Sequence, residues 1–250
     1  MQKKFLAILF LAIIFQPGAF AAHRRSHRAH RSHHQTHKKP QHTIPEVTLN
    51  HVQTLESPWG IDISHYQSDI DWIKLEQQKP HFIFLKATEG ATIQDQKYEE
   101  YYQQIGKLQI PVGSYHFFSY KSTGEDQAKN FLSTVKRKQG DLPLVLDAEY
   151  SKTMPETDIV KKELLIFINL IYQTIGSYPM IYCNYKYYQT YLKEIMPDKC
   201  KLWIVDYQRK PDCEWTFWQT TSKFKLDAIK GHVDLNLFNG TKQNLESLLF

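Results

Sequence analysis

The chain has 250 residues, 42% apolar and 23% charged, which suits one large domain with a substantial core and excludes a fibrous or low-complexity protein. Its formal charge of +5 is unevenly placed. Residues 1–56 hold 8 of the 31 basic and 2 of the 26 acidic residues, so the rest is nearly neutral and no nucleic-acid partner is expected.

Met1-Gln2-Lys3-Lys4 is a short basic start, residues 5–15 are an almost unbroken apolar run, and Ala19-Phe20-Ala21 has the small-x-small form of a cleavage site. The run is too short to span a bilayer, so residues 1–22 read as a secretory signal peptide. The mature chain is expected to be secreted, periplasmic or in the cell envelope, with no stable membrane span and as a monomer. Residues 23–42 carry seven histidines and six Lys/Arg with almost no apolar side chain. Such a stretch cannot offset the entropy of ordering, so residues 23–56 are expected to form a disordered His/Arg-rich linker. Three uses stay open for it: a solvated spacer, an attraction to anionic envelope polymers, or loose binding of zinc, copper or nickel.

Residues 57–250 read as one domain. Strands are expected at 60–64, 82–86, 111–117, 144–147, 179–183, 202–205 and 215–218. Helices are expected from 70, over 95–107, over 123–138 and over 155–175, the last ended by Gly176. This alternation gives an α/β class and an irregular (β/α) TIM-like barrel whose helices thin out towards the C-terminus. The odd set Cys183, Cys200 and Cys213 allows one bridge at most. Cys200 and Cys213 flank one strand and are the expected pair, with three free thiols as the alternative. No Cys/His spacing suited to a zinc site is present.

In such barrels the working groups sit where strands end. The ends carry Asp62, Lys86, Tyr115 with Phe117, Asp147 with Glu149, Tyr182, Tyr207 beside Asp206, and Trp218 with Gln219, while Asp234 lies near the last strand. Rings stack on sugars and paired acids handle a glycosidic oxygen, so these types together suit a sugar-cleaving cleft. In Asp147-Ala148-Glu149 the two acids share one strand face, roughly 7 Å apart. Two confined acids cannot both ionise freely. The raised pKa is assigned to Glu149 as general acid, with Asp147 ionised and assisting. Lys86, Tyr115, Phe117, Tyr182, Tyr207, Trp218 and Gln219 are the candidate substrate contacts, with plain charge balance as the alternative for Lys86 and core packing for Tyr115, Phe117, Tyr182 and Trp218. His65 and His116 are expected to be structural.

The order Gly60-Ile61-Asp62-Ile63-Ser64, Phe84-Leu85-Lys86-Ala87-Thr88-Glu89-Gly90, Gly113-Ser114-Tyr115-His116-Phe117, Leu146-Asp147-Ala148-Glu149, Leu202-Trp203-Ile204, Trp218-Gln219 and Val233-Asp234-Leu235-Asn236 resembles the glycoside hydrolase family 25 lysozymes, the Chalaropsis-type N-acetylmuramidases. The resemblance implies a barrel of mixed parallel and antiparallel strands. It also implies hydrolysis of the β-1,4 bond between N-acetylmuramic acid and N-acetylglucosamine in peptidoglycan glycan strands. Glu149 would be proton donor, with Asp62 and Asp234 as further acids of the cleft and no cofactor. Asp206 departs from the family pattern and is expected to add an acid near the cleft. A substrate-assisted, retaining path and a water-mediated, inverting one both remain open. So do a chitinase-like N-acetylglucosaminide hydrolase and a catalytically silent glycan-binding module.

Overall fold

The structure is a computed structural model that describes residues 46–250. The signal peptide and most of the His/Arg-rich stretch, with the uses expected of it, lie outside the described residues. In chain order the elements are β1 (Val47–Thr48), α1 (Leu49–Gln53), β2 (Trp59–Ile63), α2 (Trp72–Gln78), β3 (Phe82–Glu89), β4 (Ile93–Gln94), α3 (Tyr98–Lys107), β5 (Val112–Phe117), α4 (Gly124–Thr134), β6 (Val145–Asp147), α5 (Thr157–Ile175), β7 (Met180–Asn184), α6 (Tyr185–Tyr187), β8 (Leu202–Val205), β9 (Phe217–Lys225), β10 (Val233–Phe238) and α7 (Lys242–Glu246). A π-helical turn, Tyr188–Leu192, continues α6.

Eight strands close a barrel in the order β2-β3-β5-β6-β7-β8-β9-β10. From β2 to β9 every neighbouring pair is parallel. β10 alone runs the other way, between β9 and β2. The parallel strands are covered on both sides, which is why β3 can bury seven consecutive residues. No helix follows β8 or β9, as the thinning pattern anticipates.

Two apolar layers hold the barrel. Inside it, Phe82, Phe84, Met180, Trp203, Phe217 and Phe238 form one buried cluster. The Phe84 and Trp203 rings stack at 4.0 Å and 23°, and Phe82 meets Phe217 edge-on at 4.8 Å. Glycine is required at two wall positions to admit these rings. A Cβ on Gly60 would lie 2.3 Å from the Phe82 carbonyl oxygen, and one on Gly113 would lie 2.4 Å from the Phe84 ring. Outside the wall, Leu164, Phe167, Ile168 and Ile171 of α5 pack against the sheet and Phe131 of α4. Gly176 ends α5 in the left-handed conformation at φ 79, donating its N–H to the Tyr172 carbonyl. Helix α4 stops at Thr134, four residues short of the expected end, because Val135 returns to extended backbone.

Three expectations need correction. The folded domain begins before residue 57: Val47 and Thr48 pair in parallel with Phe224 and Lys225, and Val52 of α1 is fully buried. The apolar Val47, Leu49 and Val52 interrupt the polar run and give it something to bury. The expected Cys200–Cys213 bridge is not formed, and all three cysteines are free. Burial alone raises the Cys200 thiol to about 12, while Cys213 lies close enough to Cys183 to raise that buried thiol further. Third, the strand expected at 215–218 starts at Phe217 and runs to Lys225, because it must pair with β8, β10 and β1 in turn. No helix among the described residues is long and apolar enough to cross a membrane.

Candidate active site

Asp62, Ser64, Tyr66, Lys86, Tyr115, Phe117, Asp147, Glu149, Tyr182, Trp203, Tyr207, Gln219 and Asp234 line one open cavity of about 260 Å³ at the C-terminal ends of the parallel strands. Alternation along the strands sets this rim. Asp147 ends β6 pointing inward, Ala148 points outward and is fully buried, and Glu149 points inward again. The Ala148 N–H donates to the Tyr182 carbonyl, which extends the pairing with β7 past the end of β6. Because β10 is antiparallel, its first residues reach the same rim, and Asp234 stands opposite Asp62 in register.

The four acids have different partners. Asp62 Oδ2 accepts the side-chain N–H of Asn236 at 2.7 Å and of Gln219 at 3.0 Å. Gln219 Oε1 in turn accepts the hydroxyls of Tyr182 and Tyr207, each at 2.8 Å. Asp147 is buried, and its Oδ1 has no hydrogen-bond partner among the described residues. Lys86, the cation of the cavity, donates to Glu89 at 2.7 Å and lies 5.0 Å from the centre of the Phe117 ring. The Glu149 backbone is held from the outer side, where the Tyr120 hydroxyl donates to its carbonyl at 2.7 Å and also meets Tyr187.

Burial dominates the electrostatics. It pushes Asp62 up to about 6 although two carboxamides favour its charge, and it pushes Asp234, with Asp62 and Glu149 nearby, up to about 8. Asp147 is raised well above the carboxylate range by burial, then by the charges of Glu149 and Asp62. Glu149 is raised by burial too, the Tyr182 hydroxyl and Lys86 offsetting only part. The expectation that Glu149 alone of the pair is raised therefore needs correcting. Asp147 is the more deeply enclosed of the two, and Lys86 is spent on Glu89.

Of the expected site residues the cavity gathers Glu149, Asp147, Asp62, Asp234, Lys86, Tyr115, Phe117, Tyr182, Tyr207 and Gln219. Trp218 does not belong to it. Phe217 and Gln219 take the inward positions of β9, so Trp218 faces outward, donates to the Asp206 carbonyl at 2.8 Å and packs on Trp215. Asp206 adds no acid to the cavity lining, since its Oδ1 accepts the N–H groups of Gln208 and Arg209 in the loop. His65 pairs with Asp95 at 2.6 Å. His116, buried between Thr88 and Gln127, is lowered to about 4, so both histidines serve the framework. Ser64, Trp203, Glu89 and Asn236 stand in the motifs of the family resemblance, and Tyr66 just after the first of them, but none was assigned a site role from the sequence. The period of two would have found Asn236, which shares a strand face with Asp234. Nothing in the local pattern phases Trp203 inward. Among the described residues no group of three His, Cys, Asp or Glu side chains is arranged to hold a metal ion.

A closed barrel with four acids gathered at one rim suits the hydrolysis of a glycoside, and a family model and solved structures show the class. The family model for glycosyl hydrolases family 25 matches residues 61–229. YegX of Escherichia coli O157:H7, an uncharacterized protein, is 32% identical over 208 residues, covering 80% of this chain and 76% of that one. A family 25 glycosyl hydrolase from Bacillus anthracis superposes with a TM-score of 0.71 at 34% identity, over 77% of this chain and 93% of its own. The bacterial lysozyme of Streptomyces coelicolor gives 0.70 at 27% identity, over 77% and 96%. The chain belongs to glycosyl hydrolase family 25 and is an enzyme of that family.

Proposed function

We propose that this enzyme is a lysozyme that hydrolyses the β-1,4 bond between N-acetylmuramic acid and N-acetylglucosamine in peptidoglycan, outside the cytoplasm. Glu149 is its general acid. Its raised carboxyl keeps the proton that the leaving oxygen needs, and its position at the open rim puts that proton within reach of a glycan strand. The observation that supports the reading is Asp147, a buried acid of the cavity lining whose Oδ1 has no hydrogen-bond partner among the described residues. The acetamido N–H of an N-acetylated sugar satisfies it, favours the ionised carboxylate and turns the acetamido oxygen towards the anomeric carbon. Attack by that oxygen displaces the leaving group as Glu149 protonates it, and water then opens the cyclic intermediate with retention of configuration. Asp62, fixed through Oδ2, offers Oδ1 to the positive charge that develops on the sugar ring, and Asp234 shares that side of the cleft.

Replacing Glu149 by Gln keeps the shape and removes the proton. Turnover of purified peptidoglycan is expected to fall by about 10²- to 10⁴-fold with little change in KM. A Glu149→Gln variant with parental turnover would remove Glu149 from the mechanism.

A further inference from the structure

Asp62 differs from the other cavity acids in being held on one side only, by two carboxamides that are themselves anchored. Asn236 is fully buried on β10 and stands in register with Gly60 of β2 on one side and Gln219 of β9 on the other. Asp62 is two residues on from Gly60, so it shares the inward face with both carboxamides. The Asn236 orientation is set from behind, where Trp203 Nε1 donates to its Oδ1 at 2.8 Å. That bond commits the Asn236 Nδ2 to Asp62, just as the two tyrosines commit the Gln219 Nε2. Trp203 is itself stacked on Phe84 and meets Tyr182 edge-on, so the chain of contacts continues into the aromatic cluster inside the barrel.

We propose that Asn236 is a positioning residue for catalysis: backed by Trp203 and joined by Gln219, it fixes the Asp62 carboxylate by Oδ2 and leaves Oδ1 as the oxygen that meets the substrate. The inference rests on the role given to Asp62 above. Nothing else in the cavity does this for Asp62. Lys86 is paired with Glu89, and the other titratable groups facing it, Tyr115, Asp147, Glu149, Tyr182, Tyr207 and Asp234, include three acids that disfavour its charge. Loss of the Asn236 donor therefore has two effects. The carboxylate gains freedom to turn, and it takes up a proton at higher pH.

The test compares the parent, Asn236→Leu, which keeps the side-chain shape without the amide, and Trp203→Phe, which keeps Asn236 but removes its anchor. For Asn236→Leu, kcat is expected to fall roughly 10- to 100-fold, the worth of a hydrogen bond to a charged group, with KM changed less than about twofold. The acid limb of kcat/KM is expected to move upward by about half a unit or more. Trp203→Phe should show the same shift, smaller, with a folded circular dichroism spectrum. A merely structural Asn236 would lower the melting temperature and leave the acid limb where it is, and that result overturns the proposal. Asp62→Asn separates the two levels. If it keeps parental turnover, the role of Asp62 fails and the positioning role with it. If it is inactive while both other variants keep the parental acid limb, the positioning role alone fails.

Discussion

Asp234 and Asp62 face each other across an antiparallel pair, and both are enclosed, so the fold places two carboxyls where charge is unwelcome. Their folded values lie above the ordinary 3.8, at about 8 and about 6. A raised carboxyl favours the folded state while it is protonated. That contribution is complete below about pH 4 and is lost as pH rises through 6 for Asp62 and 8 for Asp234. Asp234→Asn should therefore raise the melting temperature by a few degrees at pH 8 and leave it unchanged at pH 3.5, as thermal melts at the two pH values would read. An equal shift at both would show that packing, not charge, is responsible. Asp62, Asp147 and Glu149 were legible in the sequence because each stands near or just past the C-terminal end of a strand with an evident apolar run. Asp234, at the start of β10, was read from the family resemblance. Trp218 misled because an aromatic beside Gln219 suits a sugar cleft, yet neighbours on a strand point to opposite faces. Asn236 and Trp203 stood in the family motifs without a role of their own, because that role exists only once β8, β10 and β2 face one barrel interior.

The elements show how the site is braced from outside the barrel. The segment after β5 brings Tyr120 under the Glu149 backbone, and the helix after β7 brings Tyr187 to the same hydroxyl. Tyr120→Phe removes two hydrogen bonds, one to the Glu149 carbonyl and one to the Tyr187 hydroxyl, and little volume. It should cost roughly 3- to 10-fold in kcat, with KM unchanged, as expected for the neutral bond to Glu149, worth about 1 kcal/mol. Steady-state kinetics on solubilised glycan would show it, and a change in KM alone would contradict it. The order of the parallel strands and the helices between them was readable because those strands are continuous apolar runs and α5 carries a long amphipathic pattern, whereas the antiparallel β10 was not among the expected strands. The boundary at residue 57 was misplaced because β1 and α1 are short, and the pairing partner of β1, the end of β9, lies 177 residues away (Val47 to Phe224). A chain beginning at Ser57 should melt several degrees below one beginning at Glu46, since burying Val52 alone is worth about 1.5 to 3 kcal/mol. Equal melting temperatures would mean that β1 and α1 add no stability.

At the scale of the whole molecule a nearly neutral barrel follows a strongly basic, histidine-rich stretch. If that stretch draws the enzyme to anionic envelope polymers, the full chain should sediment with cell walls more than a chain lacking residues 23–42, and the difference should vanish at high salt. Equal pelleting at low salt would leave the stretch a spacer. The central claim concerns the bond that is cut, and product ends read it most directly. The purified protein and its Glu149→Gln variant would be incubated with peptidoglycan, the soluble fragments reduced with borohydride, and their ends identified by mass spectrometry. Reduced muramitol ends from the parent alone are the expected result. Reduced glucosaminitol ends, or no fragments at all from a folded parent, would contradict the account.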